Sequence, residues 1–375
     1  MPMDPIKDNN GSEMESMYIE RMDSRKRRTK KADAIKTVFL LLLIVILLVG
    51  FVLLIKEMDS RKESLGAVPD PVITPLPTPL PTPLPIPSEE STAAEAIIED
   101  IVIEEPPFLH ESDRTVFLDD NFPSKFVFLI DAQSGEILAE KNSFVSLNPA
   151  SMTKVLTLLV AAENIEDTDG TFTMTREISE YCFVNECSVV GYIVGETVPI
   201  EELFYGCILC SGADASLALA ELAAGSHEEF VKLMNEKLNE LGLSETAHFT
   251  NCVGLYDKEH KCTSADMALI MKAALENEKC RQIICSKVYY SDPTPEHPEG
   301  QVLSNWFVRS LEDRDNGEVN VLGGKRGYVP QSGNCAVSYG ETEDGKSYIC
   351  VTGRSYDQKQ TIYDHATLYK KYCHS

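Results

Sequence analysis

The sequence has little positive charge: its 375 residues include 34 lysines and arginines but 59 aspartates and glutamates. The formal net charge at pH 7 is −25. So acidic a chain repels polyphosphate, which argues against a nucleic-acid partner. The hydrophobic fraction of 43% is ordinary for a globular core and excludes a wholly disordered chain.

Motifs of several hydrolase and metal-binding classes are also missing. The seven histidines show neither H-E-x-x-H nor H-x-x-x-D spacing, and no G-x-S-x-G motif occurs. Cys207-x-x-Cys210 is accompanied by no second C-x-x-C and no paired histidines, so we predict no metal site. The eleven cysteines are odd in number, and both buried thiols and a few disulfides are compatible with the sequence.

One long hydrophobic run lies near the N-terminus. Thr37–Ile55 contains 19 residues without a charge, and a helix of that length spans roughly 28 Å, close to the hydrocarbon thickness of a bilayer. A cleaved signal peptide fits less well, because its hydrophobic region is usually about 7–15 residues long. We therefore predict a single-pass anchor in the cell membrane. The preceding basic cluster, RKRRTKK at Arg25–Lys31, predicts a cytoplasmic tail over residues 1–36 and an extracytoplasmic location after Lys56.

Residues 56–121 are predicted to form an extracytoplasmic stalk. Nine of the 20 prolines lie between Pro69 and Pro87, in near-repeats of P-L-P-T. Because proline has no backbone N–H to donate, such a run cannot form a helix or a sheet ladder. It adopts polyproline II, which extends by about 3.1 Å per residue. An acidic stretch continues the stalk, and residues 122–375 are long enough for one globular domain.

The globular domain shows the pattern of an α/β protein of the α+β type. Phe126–Ile130 and Glu136–Ala139 predict a hairpin, and residues 320–353 alternate like antiparallel strands. Apolar spacing predicts helices after Pro149, within Ile200–Leu241, over Thr263–Asn277 and over Asp357–Tyr372. Because strands lie at both ends of the domain, we expect one antiparallel sheet of chain-distant strands, flanked by helices.

A serine and a lysine share one face of the first predicted helix. In Ser151-Met152-Thr153-Lys154 the hydroxyl and the amine lie one turn apart. Serine is a weak nucleophile without a nearby base, and a neutral lysine can be that base when burial or a second cation lowers its pKa. Taken alone, the pair would be interpreted as a helix-capping serine and a solvated lysine.

Two further motifs follow, Ser211-Gly212-Ala213-Asp214 and Lys325-Arg326-Gly327. The series Ser-x-x-Lys, Ser-x-Asn, Lys-Thr-Gly is shared by penicillin-binding proteins and serine β-lactamases. Together with the blocks PASMTKVLTLLVA, HFTNCVGLYDKEHKCTSADMALI and GGKRGYVPQSGNCAVS, residues 125–372 resemble the serine-type D-alanyl-D-alanine carboxypeptidases, which are low-molecular-mass penicillin-binding proteins. The resemblance implies a β-lactamase/transpeptidase-like fold.

The resemblance also implies an acyl-enzyme mechanism on peptidoglycan stem peptides that end in D-Ala-D-Ala. Ser151 would attack the carbonyl of the penultimate D-Ala, Lys154 would accept its proton, and Ser211 would relay a proton to the leaving D-Ala. Lys325 would bind the substrate carboxylate and help to keep Lys154 neutral. The backbone N–H groups of Ser151 and Tyr328 would form the oxyanion hole. β-Lactam antibiotics would acylate Ser151, and neither a metal nor an organic cofactor is implied.

Two residues depart from the family pattern. Ala213 stands where the family usually has an asparagine that holds the substrate backbone, and Arg326 stands where threonine or serine is usual. Arg326 either binds the substrate carboxylate with a bidentate fork or fills the site, while Gly327 keeps the family residue. Because Ser151 and Lys154 are intact, we expect altered affinity more than lost chemistry. The chain ends soon after the catalytic domain, so the N-terminal span is expected to replace the family's C-terminal anchor.

Two other functions fit parts of the sequence. A class A β-lactamase shares the three motifs but needs a deacylating glutamate in E-x-E-L-N, which Glu236-Lys237-Leu238-Asn239 resembles only superficially. A membrane-tethered peptidoglycan or β-lactam sensor, with the fold but without turnover, would account for Ala213 and Arg326. Release of D-Ala from a pentapeptide distinguishes an enzyme from such a sensor.

Overall fold

The computed structural model describes residues 108–374, so the predicted tail, the membrane anchor and most of the stalk lie outside the described residues. Among the residues that are described, no helix has the length and apolar character needed to cross a membrane. Leu109 is buried in the core, and Arg114 forms an ion pair with Glu136. The domain was expected to begin at Phe122. Because of these contacts, the folded structure also includes residues before Phe122.

Ten strands lie within residues 108–374. They are β1 Val116–Phe117, β2 Phe126–Asp131, β3 Ile137–Lys141, β4 Thr171–Thr173, β5 Thr197–Pro199, β6 Val288–Tyr290, β7 Val302–Ser304, β8 Asn320–Val329, β9 Gly333–Glu341 and β10 Ser347–Ser355. Six of them form the main sheet in the order β1–β3–β2–β10–β9–β8, while β4–β5 and β6–β7 are small separate pairs. The antiparallel pairing of β2 with β10 joins the two chain-distant sets of strands, as predicted.

The main sheet is mixed, which corrects the prediction of a wholly antiparallel sheet. β1 runs parallel to β3 at one edge, with Val116 opposite Ala139, whereas the other neighbours in this sheet are antiparallel. β1 has only two residues, and Phe117 is exposed. Such a short strand shows no alternation of polar and apolar residues, so the sequence pattern could not reveal it.

Nine α-helices and one 3₁₀ turn, Ala150–Thr153, complete this part of the chain. The helices are α1 Lys154–Asn164, α2 Arg176–Val184, α3 Ile200–Leu209, α4 Ala213–Ala224, α5 His227–Glu240, α6 Ser264–Glu276, α7 Glu278–Ile284, α8 Trp306–Glu312 and α9 Gln358–Tyr372. The predicted helices are all present. The sequence did not predict α2, α7 and α8, which are short; α2 buries only Ile178 and Cys182 and so carries little apolar periodicity.

The main sheet separates two hydrophobic cores. Phe128 and Ile130 of β2 contribute to the larger core, which includes α1, α4 and α6, whereas Val127 and Leu129 contribute to the smaller core under α8 and α9. Successive side chains of a strand point to opposite faces, so a strand that is apolar at every position is buried on both sides. α1 lies inside the larger core and buries residues 154–161 without a break, which carries Lys154 out of solvent.

Candidate active site

Ser151 lies in the 3₁₀ turn that leads into α1 rather than in the helix itself. Ala150, just before it, has a left-handed backbone with φ of 46°, a conformation that costs a residue with a side chain roughly 1–3 kcal/mol. Gly254 packs against this turn so closely that a Cβ there would lie 2.0 Å from the Ala150 carbonyl oxygen. The position of Ser151 therefore depends on a backbone contact that only glycine permits.

Lys154 is held within reach of the serine by two polar contacts. Its Nζ lies 3.2 Å from Ser151 Oγ and 2.6 Å from the carbonyl oxygen of Val253. The side-chain oxygen of Asn251 shapes the loop that presents this carbonyl, because it accepts three consecutive backbone N–H groups, from Val253 to Leu255. Lys154 is only 2% exposed, and burial lowers its pKa below that of an ordinary lysine. A neutral amine placed here can accept the Ser151 hydroxyl proton.

A second hydroxyl–amine pair connects the loop between α3 and α4 to the edge strand β8. Lys325 Nζ donates hydrogen bonds to Ser211 Oγ at 2.9 Å and to the carbonyl oxygen of Arg326 at 2.7 Å. Burial and the nearby charge of Lys154 hold the pKa of Lys325 well below its usual range. The sequence predicted that Lys325 would suppress the charge of Lys154. The structure gives burial as the main cause of the lowered pKa of both lysines.

Arg326 is a half-buried cation without an acidic partner among residues 108–374. Its Nη1 atom is inaccessible to solvent and has no hydrogen-bond acceptor among residues 108–374. The guanidinium lies over the Trp306 ring, with Cζ 5.5 Å from the ring centroid. Burial lowers the pKa of Arg326 because no carboxylate compensates for the lost hydration.

The same lack of a negative partner extends to all three basic side chains of the site. In the described part of the chain, no carboxylate forms an ion pair with Lys154, Lys325 or Arg326. A buried charge is costly unless it is paired. The site of this acidic protein is therefore electrostatically suited to an anionic ligand.

Ala213 and Asp214 attach the loop at residues 188–192 to the start of α4. The buried Ala213 donates its backbone N–H to the Ser188 carbonyl at 2.8 Å, and its methyl group can form no hydrogen bond. The buried carboxylate of Asp214 accepts the N–H groups of Val190 and Gly191, each at 2.9 Å. The loop is thus fixed beside Ser151 and forms one wall of the site.

Two clefts meet at Ser151, one of about 340 Å³ and one of about 590 Å³. All seven predicted site residues line one or both clefts: Ser151, Lys154, Ser211, Lys325, Arg326, Gly327 and Tyr328. β8 passes close to the serine, since a Cβ on Gly327 would lie 2.8 Å from the Ser151 backbone nitrogen. Ser151, Ser188 and Tyr328 border both clefts and so mark the boundary between them.

Three residues that shape the site were not singled out from the sequence. Asn251 and Asp214 have buried side-chain oxygens that organise loops, and both lie inside sequence blocks that carried the family resemblance. Trp306 is the single tryptophan of the chain. Its place beside Arg326 depends on Asn305, which caps α8 and donates to the Gly324 carbonyl at 2.9 Å. No local pattern predicts that contact between α8 and β8.

The cysteines show no metal-binding arrangement. The eleven thiols are free, and residues 108–374 contain no cluster of three or more side chains that could hold a metal ion. The two cysteines of the C-x-x-C motif lie in different environments. Cys207 is buried, and its sulfur accepts a hydrogen bond from Ser216 Oγ at 3.3 Å, whereas Cys210 lines the smaller cleft.

The glutamate that superficially matched a β-lactamase motif lies elsewhere. Glu236 is on α5 and borders a separate groove with His248 and Thr250. It lines neither of the two clefts at Ser151. Leu238 of the same helix is fully buried, as the amphipathic pattern predicted.

Comparison with known sequences places the folded region among D-alanyl-D-alanine carboxypeptidases. The sequence profile of that family matches residues 115–354. The D-alanyl-D-alanine carboxypeptidase DacF of Bacillus subtilis (strain 168) is 31% identical over 234 residues, 62% of this chain and 58% of DacF. DacA of Escherichia coli (strain K12), with the same enzyme name, is 37% identical over 160 residues, 40% of this chain and 38% of DacA. The chain thus matches less than two thirds of the length of either relative.

Comparison with solved structures establishes the fold. The Streptomyces K15 DD-transpeptidase aligns with a TM-score of 0.61 and 24% identity, over 66% of this chain and 97% of that one. Penicillin-binding protein 5 of Haemophilus influenzae aligns with a TM-score of 0.60 and 24% identity, over 67% of this chain and 71% of that one. The mixed sheet with flanking helices is therefore the α+β fold of these proteins.

Proposed function

Because the chain belongs to the D-alanyl-D-alanine carboxypeptidase family, we propose that it removes the terminal D-Ala from peptidoglycan stem pentapeptides through an ester on Ser151. The observation that carries this proposal is the 3.2 Å contact between Ser151 Oγ and Lys154 Nζ, in a pocket that lowers the lysine pKa. A serine becomes a useful nucleophile only beside such a base. β-Lactam antibiotics are proposed to acylate the same hydroxyl.

In the acylation step, Ser151 Oγ attacks the carbonyl carbon that links the last two D-alanines. Neutral Lys154 takes the hydroxyl proton, and negative charge develops on the carbonyl oxygen. We assign the stabilisation of this oxygen to the backbone N–H groups of Ser151 and Tyr328. The glycine at position 327 supports this assignment, because it lets β8 approach the Ser151 backbone.

The C–N bond then breaks when a proton reaches the nitrogen of the leaving D-Ala. The Ser211 hydroxyl, which accepts a hydrogen bond from Lys325, is proposed to relay that proton. Water subsequently attacks the ester carbonyl, with Lys154 again accepting a proton. This second attack releases the shortened peptide and restores the Ser151 hydroxyl.

The terminal carboxylate of the substrate is proposed to bind Arg326 and Lys325. Arg326 and Lys325 both line the smaller cleft, and a carboxylate bound there would supply the negative charge that these two basic side chains lack. Its arrival would raise the pKa of Lys325, so that Lys325 holds a proton while Lys154 remains the base. In this arrangement the guanidinium replaces the hydroxyl that the family usually has at this position.

The proposal is tested by incubating the full-length chain with a stem pentapeptide and measuring released D-Ala. We expect catalytic release, together with covalent labelling by a fluorescent penicillin. Labelling without D-Ala release would instead support the sensor function, with Ala213 in place of the amide that holds the substrate. Rapid hydrolysis of the penicillin, with no stable adduct, would support the β-lactamase alternative.

Replacing Arg326 with threonine is expected to lower kcat/KM for the pentapeptide. Loss of a hydrogen bond to a charged group costs about 1.5–3 kcal/mol, which corresponds to a decrease of roughly 10–150-fold. The matched control is a pentapeptide whose terminal carboxylate is an amide. Wild type should strongly prefer the acid, and Arg326→Thr should lose most of that preference.

A gain in activity would contradict the carboxylate assignment. If the guanidinium fills the site, Arg326→Thr should raise D-Ala release more than tenfold, by the same energy scale, and Ala213→Asn added to it should raise release further. That result would favour the sensor function for the natural chain.

We also propose that residues 37–55 anchor the protein in the cell membrane, with the basic tail in the cytoplasm and the stalk and catalytic domain outside. The uncharged 19-residue run and the Arg25–Lys31 cluster support this topology. An external location would bring the cleft to peptidoglycan. The net charge of −25 supports the absence of a nucleic-acid partner.

Protease added to intact, wall-stripped cells is expected to release a soluble fragment of about 250 residues by cutting the exposed stalk. A tag on the N-terminal tail should remain protected until the membrane is permeabilised. The inverse pattern, a protected domain and a digested tail, would show that the orientation is wrong.

A further inference from the structure

Cys182 and Cys187 are neighbours at the C-terminal end of α2. Cys182 lies in the last turns of α2, and Cys187 lies in the loop that follows. The backbone N–H of Cys187 donates to the carbonyl oxygen of Cys182 at 2.9 Å. With Glu186 left-handed and bonded to Phe183, this is the Schellman motif, in which the side chains at the positions of Cys182 and Cys187 pack against each other. The two thiols are therefore neighbours, as a disulfide requires.

The two thiols are chemically unequal. The interaction with Cys187, together with burial, raises the pKa of Cys182. The interaction with Cys182 lowers the pKa of Cys187. Of the charges that face them, Lys154 favours a thiolate and Asp214 opposes it. Cys182 is buried and Cys187 half-buried, so the more acidic thiol is also the more accessible one.

This pair borders the active site. Cys187 lines the larger cleft together with Ser151 and Lys154, and Ser188, the next residue, borders both clefts. Cys182 and Cys187 also line a neighbouring pocket with Asp214, whose carboxylate fixes the same loop. A change at Cys187 therefore acts directly on a wall of the catalytic cleft.

We propose that Cys182 and Cys187 form an oxidation site, at which a peroxide converts the two thiols to a disulfide and slows acylation of Ser151. The Cys187 thiolate attacks a peroxide oxygen, so that an S–O bond forms and the O–O bond breaks, giving a sulfenic acid and hydroxide. The hydroxide takes up the proton that Cys187 lost on ionisation and becomes water. The Cys182 thiol then attacks the sulfenic sulfur, forms the S–S bond and releases a second water. Two thiols are oxidised, one peroxide is reduced, and a thiol reductant reverses the step.

The disulfide affects the cleft because it pulls the Cys187 side chain from the cleft wall towards Cys182. An error of about 1 Å in an active site can cost a large factor in rate, so we expect acylation to slow by roughly threefold or more. The extracytoplasmic location proposed above would expose the pair to oxidants. The effect on acylation rests on the proposed function, whereas formation of the disulfide does not.

The test uses the purified full-length chain, with and without hydrogen peroxide. Oxidation should lower the intact mass by about 2 Da. Cleavage after glutamate separates the two cysteines, because Glu180, Glu186 and Glu196 flank them. A disulfide should therefore join the peptides YCFVNE and CSVVGYIVGE, while Cys207 and Cys210 stay together in a third, unlinked peptide.

Variants and labelling then decide both parts of the proposal. Cys187→Ser should abolish the mass loss, and Cys210→Ser, at the other half-buried cysteine beside the serine, should retain it. Penicillin labelling of the oxidised wild type should be slower and should recover after reduction.

No disulfide, or one between other cysteines, would overturn the proposal. A disulfide with unchanged labelling would overturn its effect on the cleft. Absence of labelling in the reduced protein would instead count against the proposed function.

Discussion

A Ser151→Ala variant is expected to show no covalent labelling by a fluorescent penicillin and no D-Ala release above background. The Lys154 amine contacts a single hydroxyl, that of Ser151, among the residues that the structure describes. Without that oxygen no ester can form, and the loss should be roughly 10³-fold or more. The measurement is the labelled protein after a fixed exposure, with the wild-type adduct mapped to the peptide that contains Ser151.

A matched control excludes a general effect of removing a serine hydroxyl. Ser134 lies in the exposed turn between β2 and β3 and lines neither cleft, so Ser134→Ala should label like wild type. Thermal unfolding of both variants would verify that each is folded. A mapped wild-type adduct on another residue, or undiminished labelling of Ser151→Ala, would show that the nucleophile is wrongly assigned.

A Lys154→Met variant is expected to slow acylation by about 10²–10⁴-fold, the usual contribution of a general base. Methionine approximates the length of the lysine side chain, so it avoids a large cavity at a position that is 2% exposed. Removing a buried amine also removes its desolvation cost, and the variant should therefore remain folded. The measurement is the rate constant of penicillin acylation at one pH. Lys232→Met, at an exposed lysine of α5 paired only with Glu229 in residues 108–374, is the control.

The pH dependence of acylation gives an independent test of the role of Lys154. The lysine is a base only when it is unprotonated, and burial lowers its pKa below the ordinary value of 10.5. The acylation rate should therefore rise with pH and level off below pH 10.5. Lys154→Met should remove this rise. A Lys154→Met profile that keeps the wild-type midpoint would assign the titration to another group.

The same shift predicts how stability depends on pH. Between the lowered pKa of folded Lys154 and 10.5, the unfolded chain binds more protons than the folded chain. Folding should therefore become more favourable as pH rises through that window. Lys154→Met should reduce this pH dependence in denaturant unfolding.

Local sequence pattern predicted much of the secondary structure. The apolar run at Phe126–Ile130 matches β2, and the helix predicted after Pro149 matches the 3₁₀ turn and α1. Elements with few buried residues, such as β1 and α2, were not predicted, because an apolar period needs several turns or several alternations to be recognised. The parallel pairing of β1 also depends on where the chain crosses the sheet, which is not a local property.

The sequence by itself determined which groups are available for chemistry and in what order. The spacing of Ser151 and Lys154 places the hydroxyl and the amine one helical turn apart. The order of the three motifs along the chain indicated the family. Only the tertiary structure decided how these groups behave. Val253, which contacts Lys154, lies 99 residues further along the chain, and Ser211 and Lys325 are 114 residues apart. The lowered lysine pKa values and the unpartnered Arg326 nitrogen arise from burial and from charges that distant segments place, or fail to place, around the site. Spacing along the chain specifies contacts within a turn, whereas desolvation and charge pairing depend on every segment that packs nearby.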